Sequence, residues 1–181
     1  MHDKVKSFCS AIKEIFPYHF KNKIVLDCGS LDINGNNRYL FEDCSYLGID
    51  LVWGDNVDIV TSVFNYRPGF LFDTIISTGM LEHDIYHVSS LARMYDILKP
   101  GGLLLITAAG YGFKEHGTVS KSPQDSPLTN NYYKNIEGVD IVMGLPIHGF
   151  SMWELSYVEN DIRFWGIKKV NESHIMPKAI S

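Results

Sequence analysis

Five short apolar runs constrain the fold of this chain more than any other feature of its sequence. They are KIVLDC (residues 23–28), SYLGID (45–50), VDIVTS (57–62), FDTIIS (72–77) and GLLLITAA (102–109). Runs that stay apolar without strict alternation suit strands covered on both faces, which is the parallel arrangement. Between the last two, HVSSLARMYDILKPGG sets Val88, Leu91, Ala92, Tyr95 and Leu98 on one helical face, and Pro100 and Gly101 stop it. Strands alternating with helices predict an α/β fold with a Rossmann-like doubly wound sheet.

The two ends of the chain extend that plan. Residues 3–16 place Val5, Phe8, Ile12, Ile15 and Phe16 at helical spacing before Pro17, predicting an amphipathic helix. FSMWELSYVENDIRFWGIKKV (150–170) carries two aromatic-rich runs around Glu159, Asn160 and Asp161, predicting an antiparallel hairpin that closes a mostly parallel sheet. These elements use nearly all of the 181 residues, so one domain is expected. The stretch 110–131, rich in Ser, Thr, Asn, Pro and Gly, is longer than an ordinary α/β connection and reads as either a lid or a disordered loop.

A net charge of -5 argues against a nucleic-acid partner, because a phosphate backbone calls for a basic footprint. Three cysteines, Cys9, Cys28 and Cys44, without C-x-x-C or metal spacing, point away from a disulfide framework and toward a reducing compartment. No apolar run has the length of a membrane span, and the first twenty residues lack a signal-peptide pattern. A soluble, cytoplasmic protein is expected.

In an open α/β sheet the ligand crevice lies beyond the carboxyl ends of the strands, where Asp27, Gly29, Asp50, Ser62 and Ser77 stand. VLDCGSLDINGNNRYLF (25–41) opens like a nucleotide-binding turn, an apolar strand running into Asp27 and Gly29 with a helical pattern after it. Yet the next glycine is Gly35, so the G-x-G-x-x-G of a dinucleotide site is missing. Asp50, at the end of the second strand, suits the two hydroxyls of a ribose. Carboxylates at Asp27 and Asp32 would repel a pyrophosphate. S-adenosylmethionine has a cationic sulfur, an ammonium and no phosphate, and fits that turn better than NAD.

The succession VLDCG, YLGID, FDTIISTGMLEH and LKPGGLLLITAAG resembles the class I S-adenosylmethionine-dependent methyltransferases, in particular the methyltransferase type 11 branch with Leu-Glu-His after the fourth strand. The likeness covers about residues 20–110 and reaches about 170 through the hairpin. It implies that Asp27 and Gly29, with Ser30, hold the methionine part of the cofactor, that Asp50 binds the ribose, and that Leu51 lies against adenine. Ser62 and Val63 would bound the adenine, without the acidic residue common there. Ser77 to Met80 would line the methyl-transfer site. The family's usual G-x-G-x-G is replaced by a longer glycine spacing.

Two Glu-His pairs follow the fourth and fifth strands: Glu82 and His83 in GMLEHDIYH, and Glu115 and His116 in GFKEHGT. Either histidine suits a general base near neutral pH, and Glu82, His83 and His116 together suit a divalent cation such as Mg or Zn. The arrangement is similar to metal-assisted methyltransferases with a Glu-x-x-Glu-His run and a later histidine, except that Gly79 stands where the first Glu belongs. The bland alternative has Glu82 bonding a backbone amide and His116 capping its loop. His87 reads as a surface residue, and Lys168 and Lys169 as a solvated edge. Tyr111, Phe113, Tyr132 and Tyr133 are candidates for an aromatic wall, although aromatics of this kind are more often core.

Together these readings predict methyl transfer to an oxygen, or less readily a nitrogen, of a small molecule or glycan. A non-catalytic module of the same fold is the alternative, and an NAD-dependent oxidoreductase is a poorer fit. Neither the acceptor nor the oligomeric state is written in the sequence.

Overall fold

The computed structural model describes residues 3–129 and 131–170. Helix α1 (Asp3–Ile15) buries Val5, Cys9 and Ile12, one helical stripe, and ends before Pro17, which opens a 3-10 turn (Pro17–Phe20). Seven strands form one sheet: β1 (Ile24–Cys28), β2 (Ser45–Asp50), β3 (Ile59–Val60), β4 (Phe72–Thr78), β5 (Leu98–Ala109), β6 (Phe150–Val158) and β7 (Asp161–Lys168). Their order is β3-β2-β1-β4-β5-β7-β6, parallel except where β7 pairs antiparallel with both β5 and β6. The predicted sheet and its closing hairpin are therefore present.

Each face of the sheet has its own apolar layer. Val25, Ile76, Leu103 and Leu105 pack with α1, Phe20 and Leu40 on one side. Leu26, Ile75, Leu104, Ile106 and Phe164 pack on the other, beneath helices α2 (His87–Ile97) and α3 (Gly138–Gly144). The central strands β1, β4 and β5 are thus buried on both faces, as their unbroken apolar runs require.

Several elements depart from expectation for identifiable reasons. The residues after Gly29 form no α-helix; up to Cys44 they hold a single 3-10 turn (Arg38–Leu40). Here Asp32 Oδ1 accepts the Gly35 N–H at 2.6 Å and Asp32 Oδ2 accepts Asn36 Nδ2 at 2.6 Å, while Asn36 Oδ1 accepts the Arg38 N–H at 3.0 Å. Short polar side chains have captured backbone that a helix would need. The third run shrinks to two residues because it pairs only with β2 at the exposed edge. Strand β5 begins at Leu98, so Pro100 and Gly101 lie within it.

The buried stripe of α2 is His87, Ser90, Leu91, Met94 and Ile97, one residue round from the predicted face, and Ala92 is exposed. His87 is therefore not a surface residue. Its Nδ1 lies 3.0 Å from Asp84 O and its Nε2 3.3 Å from Asp140 Oδ1, tying α2 to α3. Lys168 is likewise not on a solvated edge, since β6 and not β7 is outermost. Its ammonium donates to Tyr95 O at 2.7 Å and Leu98 O at 2.8 Å, satisfying carbonyls at the end of α2.

Candidate active site

The carboxyl ends of the parallel strands open on a crevice of about 630 Å³, walled on the far side by the loop that follows β5. That volume is typical of a small-molecule site. Asp27, Gly29, Ser30, Asp50, Leu51, Ser62, Val63, Met80, Glu82, His83 and His116 all line it. Ser77 does not. It is fully buried beneath the floor, and its hydroxyl donates to Cys28 O at 3.0 Å, leaving Thr78 as the lining residue at that strand end.

Asp27 ends its carboxylate in a cage of donors. It accepts the Tyr46 hydroxyl, Asn37 Nδ2 at 3.3 Å and Asn56 Nδ2 at 3.4 Å. Burial pushes its pKa up to about 6, and the hydrogen bonds from Tyr46, Asn37 and Asn56 restrain the rise. Asn37 also donates to Thr78 Oγ1 at 3.0 Å, and Asn56 to Ser30 O at 2.8 Å, so these amides join β1, β2 and β4 at the crevice floor. Thr78 lies within the Ser77 to Met80 stretch expected to line the site, whereas Tyr46, Asn37 and Asn56 escaped sequence reasoning. The polar run Asn34-Gly35-Asn36-Asn37 was the only trace of them, and it reads equally well as an ordinary turn.

Gly29 turns the chain out of β1 at φ +78, and a Cβ there would stand 2.5 Å from Met80. Only glycine lets this turn close against Met80. The next backbone is held by Asp50, whose Oδ2 accepts Leu31 N–H at 3.1 Å and whose Oδ1 accepts Val52 N–H at 3.3 Å. Leu51, 40% exposed, and the Ser62-Val63 pair flank the same end of the crevice.

At the other end lie the two histidines. Glu82 and His83 belong to a 3-10 turn (Leu81–His83) after β4, and His116 comes from the loop after β5. Glu82 Oε1 accepts the Ala109 N–H at 3.1 Å, which fixes the turn to β5. The other oxygen, Oε2, is buried and accepts no hydrogen bond among the described residues. The Nε2 atoms of His83 and His116 stand 3.3 Å apart, and a ligand atom from each of Glu82, His83 and His116 falls within 4.8 Å of the others. Burial, and then the charge of His116, push the His83 pKa down to about 4.

The loop makes this meeting possible. Gly117 has φ +66, and a Cβ on it would lie 2.6 Å from both His83 Cε1 and Ser126 Cβ. Tyr133 packs its ring on both histidines, at centroid distances of 5.5 and 5.0 Å, and Phe113 packs on His116 at 5.3 Å. Tyr111, by contrast, is 77% exposed. Residues 113–116 and 125–129 all face the crevice, so the segment expected as a lid forms its outer wall.

No family model matches this chain, and no curated protein matches it. Solved structures do. One is 1,6-didemethyltoxoflavin-N1-methyltransferase of Burkholderia thailandensis with S-adenosylhomocysteine, at 18% identity and TM-score 0.62, over 92% of this chain and 79% of that one. A second is the N-terminal domain of EvdMO1 in the presence of S-adenosylhomocysteine and D-fucose, at 16% identity and TM-score 0.64, over 93% of this chain and 84% of the other. Magnesium protoporphyrin IX methyltransferase from Synechocystis PCC 6803, with bound S-adenosylmethionine, matches at 12% identity and TM-score 0.59, over 92% and 78%. The architecture of this chain is thus the seven-stranded fold of the class I S-adenosylmethionine-dependent methyltransferases.

Proposed function

We propose that this protein is an S-adenosylmethionine-dependent methyltransferase acting on an oxygen of a small molecule or glycan. The observation that carries the reading is one continuous crevice with a caged carboxylate and a ribose-type aspartate at one end and a histidine pair at the other. Its residues fit the cofactor. Asp27 offers a negative charge to an ammonium, and Asp50 offers carboxylate oxygens to a diol. Gly29 leaves the backbone bare between them, as a ligand lying along the turn requires. When bound, S-adenosylmethionine supplies an electrophilic methyl on a cationic sulfur.

The chain itself contributes position and proton handling. His116 Nδ1 lies 3.1 Å from Lys114 O, which can only accept, so the neutral imidazole that donates there carries its lone pair on Nε2. Of the two rings His83 is buried and His116 is partly open, so His116 Nε2 is the base an acceptor hydroxyl reaches.

A second reading of the same end is a divalent metal, favoured by one observation. Two nitrogens bound tetrahedrally to one zinc at its usual bond lengths stand roughly 3.4 Å apart, and the two Nε2 atoms are 3.3 Å apart beside the unpartnered Glu82 oxygen. The donor set of two imidazoles and a carboxylate suits zinc and leaves a position for the acceptor.

Thermal unfolding tests both readings. S-adenosylhomocysteine at about 100 times its dissociation constant adds roughly 2.7 kcal/mol, which raises Tm by about 5–10 °C in a chain of this size. NAD is expected to add nothing, and Asp50→Ala to abolish most of the shift. An unchanged shift in Asp50→Ala removes the ribose assignment, and no shift with the wild type removes the function. An added increment with zinc that EDTA reverses, and that His116→Ala loses, selects the metal over the base.

A further inference from the structure

The acceptor end of the crevice carries a charge pattern that selects among acceptors, given the methyltransferase reading above. Glu82, Asp84, Glu115 and Asp125 line it, whereas Lys114 is the single Lys or Arg among the described residues lining any part of the cavity. Glu82 is 3% exposed, and its Oε2 accepts no hydrogen bond among the described residues, so the lining includes a buried acceptor atom whose hydrogen-bonding capacity is unused there.

Anion recognition has two usual devices, paired arginines or lysines and the N-terminus of a helix. The first is missing from the lining. The second already carries a carboxylate: Ile85 and Tyr86, which precede α2, line the cavity, and Asp84 Oδ1 accepts the Tyr86 N–H at 2.8 Å while Asp84 Oδ2 accepts the Ser90 hydroxyl. A phosphate or carboxylate on the acceptor would meet these carboxylates with Lys114 as the one lysine or arginine in the lining to offset them.

Two apolar surfaces accompany the carboxylates. Tyr86, 56% exposed and stacked on Phe64 at 5.3 Å, lines the cavity, and so does Phe113, which packs on His116. Carboxylate oxygens that accept from hydroxyls, next to aromatic faces that cover C–H surface, match a ring with both properties. We propose that this lobe binds an uncharged sugar ring as the methyl acceptor and excludes phosphorylated sugars. An amino sugar would be attracted by the same carboxylates, but they would hold its nitrogen protonated, with no lone pair to offer a methyl group.

The test uses the full chain saturated with S-adenosylhomocysteine, in EDTA so that no added cation alters the charge. Saturation-transfer NMR and calorimetry would compare methyl glycosides of glucose, galactose and mannose with the corresponding hexose phosphates and amino sugars. At least one neutral ring is expected to bind roughly tenfold or more tighter than its phosphate, a difference of about 1.4 kcal/mol. The double variant Glu115→Gln, Asp125→Asn is expected to lose most of that discrimination. Equal or better binding of a phosphate, methylation of an amino sugar's nitrogen when S-adenosylmethionine replaces S-adenosylhomocysteine, or no binding by any sugar would each overturn the assignment. A chain that does not bind S-adenosylhomocysteine instead fails the methyltransferase reading, and the thermal shift run beforehand separates the two failures.

Discussion

At the scale of single residues, Asp27 and His83 stand out because burial drives each toward its neutral form, with opposite consequences. Asp27 keeps its proton up to about pH 6 in the fold, whereas an unfolded aspartate releases it near 3.8, so its contribution to stability falls as pH rises through that window. His83 titrates at about 4 against an ordinary 6.5, so its contribution rises with pH between those values. The two trends offset in the free protein, which makes ligand affinity the cleaner readout. An ammonium placed beside Asp27 favours the carboxylate, so binding of S-adenosylhomocysteine should strengthen from pH 4.5 to about 6.5 and level off above it. Calorimetry at pH 6 in buffers of different ionisation enthalpy should record proton release on binding. Asp27→Asn should remove both the release and the pH dependence; an affinity that stays flat across this range in the wild type contradicts the placement of the ammonium at Asp27.

At the scale of elements, what was legible in the sequence was what burial writes into it. β1, β2, β4 and β5 came through as apolar runs because both faces of each are covered, and the β6-β7 hairpin as two aromatic runs about a turn. The hidden parts depend on contacts between distant residues. α3 has only seven residues, too few to show a period; Asp140 Oδ2 accepts the nearby Glu137 N–H at 2.9 Å and its Oδ1 receives Lys134 Nζ at 2.6 Å, while the tie that fixes the helix against a distant element is Asp140 to His87. His87 read as surface because an imidazole opening a helix gives no sign that a carboxylate from another element will bury it. Within the site, Asp27, Gly29 and Asp50 were readable from their strand-end positions, but Asn37 and Asn56 were not, since their roles arise only when two loops meet. Burial pushes the Asp140 pKa up, but Lys134, the Glu137 amide and His87 outweigh it and hold the carboxyl below its usual range. Its contribution is therefore present above the unfolded aspartate pKa and lost as pH falls through the depressed value. Asp140→Ala should cost about 1–3 kcal/mol at neutral pH, a Tm drop of roughly 3–10 °C, and the deficit relative to wild type should shrink in acid. A deficit unchanged in acid would assign it to packing alone.

At the scale of the whole molecule, the chain keeps the sheet of its fold and dispenses with helices where the Asp27 and Asp50 half of the crevice is made. The connections from β1 to β2 and from β2 to β4 contain no α-helix, and their irregular backbone, at residues 29–37 and 51–63, forms that half of the lining. The sheet centre, by contrast, is a regular ladder, with β5 paired from Leu103 to Thr107 with β4 and from Leu103 to Ala109 with β7. Backbone held by side-chain hydrogen bonds at the surface opens more readily than backbone in a buried ladder, so the two regions differ in local stability before any ligand arrives. A ligand that binds this crevice must then stabilise the loops more than the sheet, because local opening of the loops destroys the site while the ladder already exchanges only by global unfolding. Hydrogen exchange with and without S-adenosylhomocysteine should show added protection concentrated in residues 29–37 and 51–63, with β5 and β7 gaining only what global stabilisation confers. The loop at 113–129 should gain less than either cofactor segment with this ligand alone, and more once a sugar occupies the lobe it walls. Protection spread evenly over the sheet, with the two crossovers unchanged, would mean that the ligand binds somewhere other than at the ends of the strands.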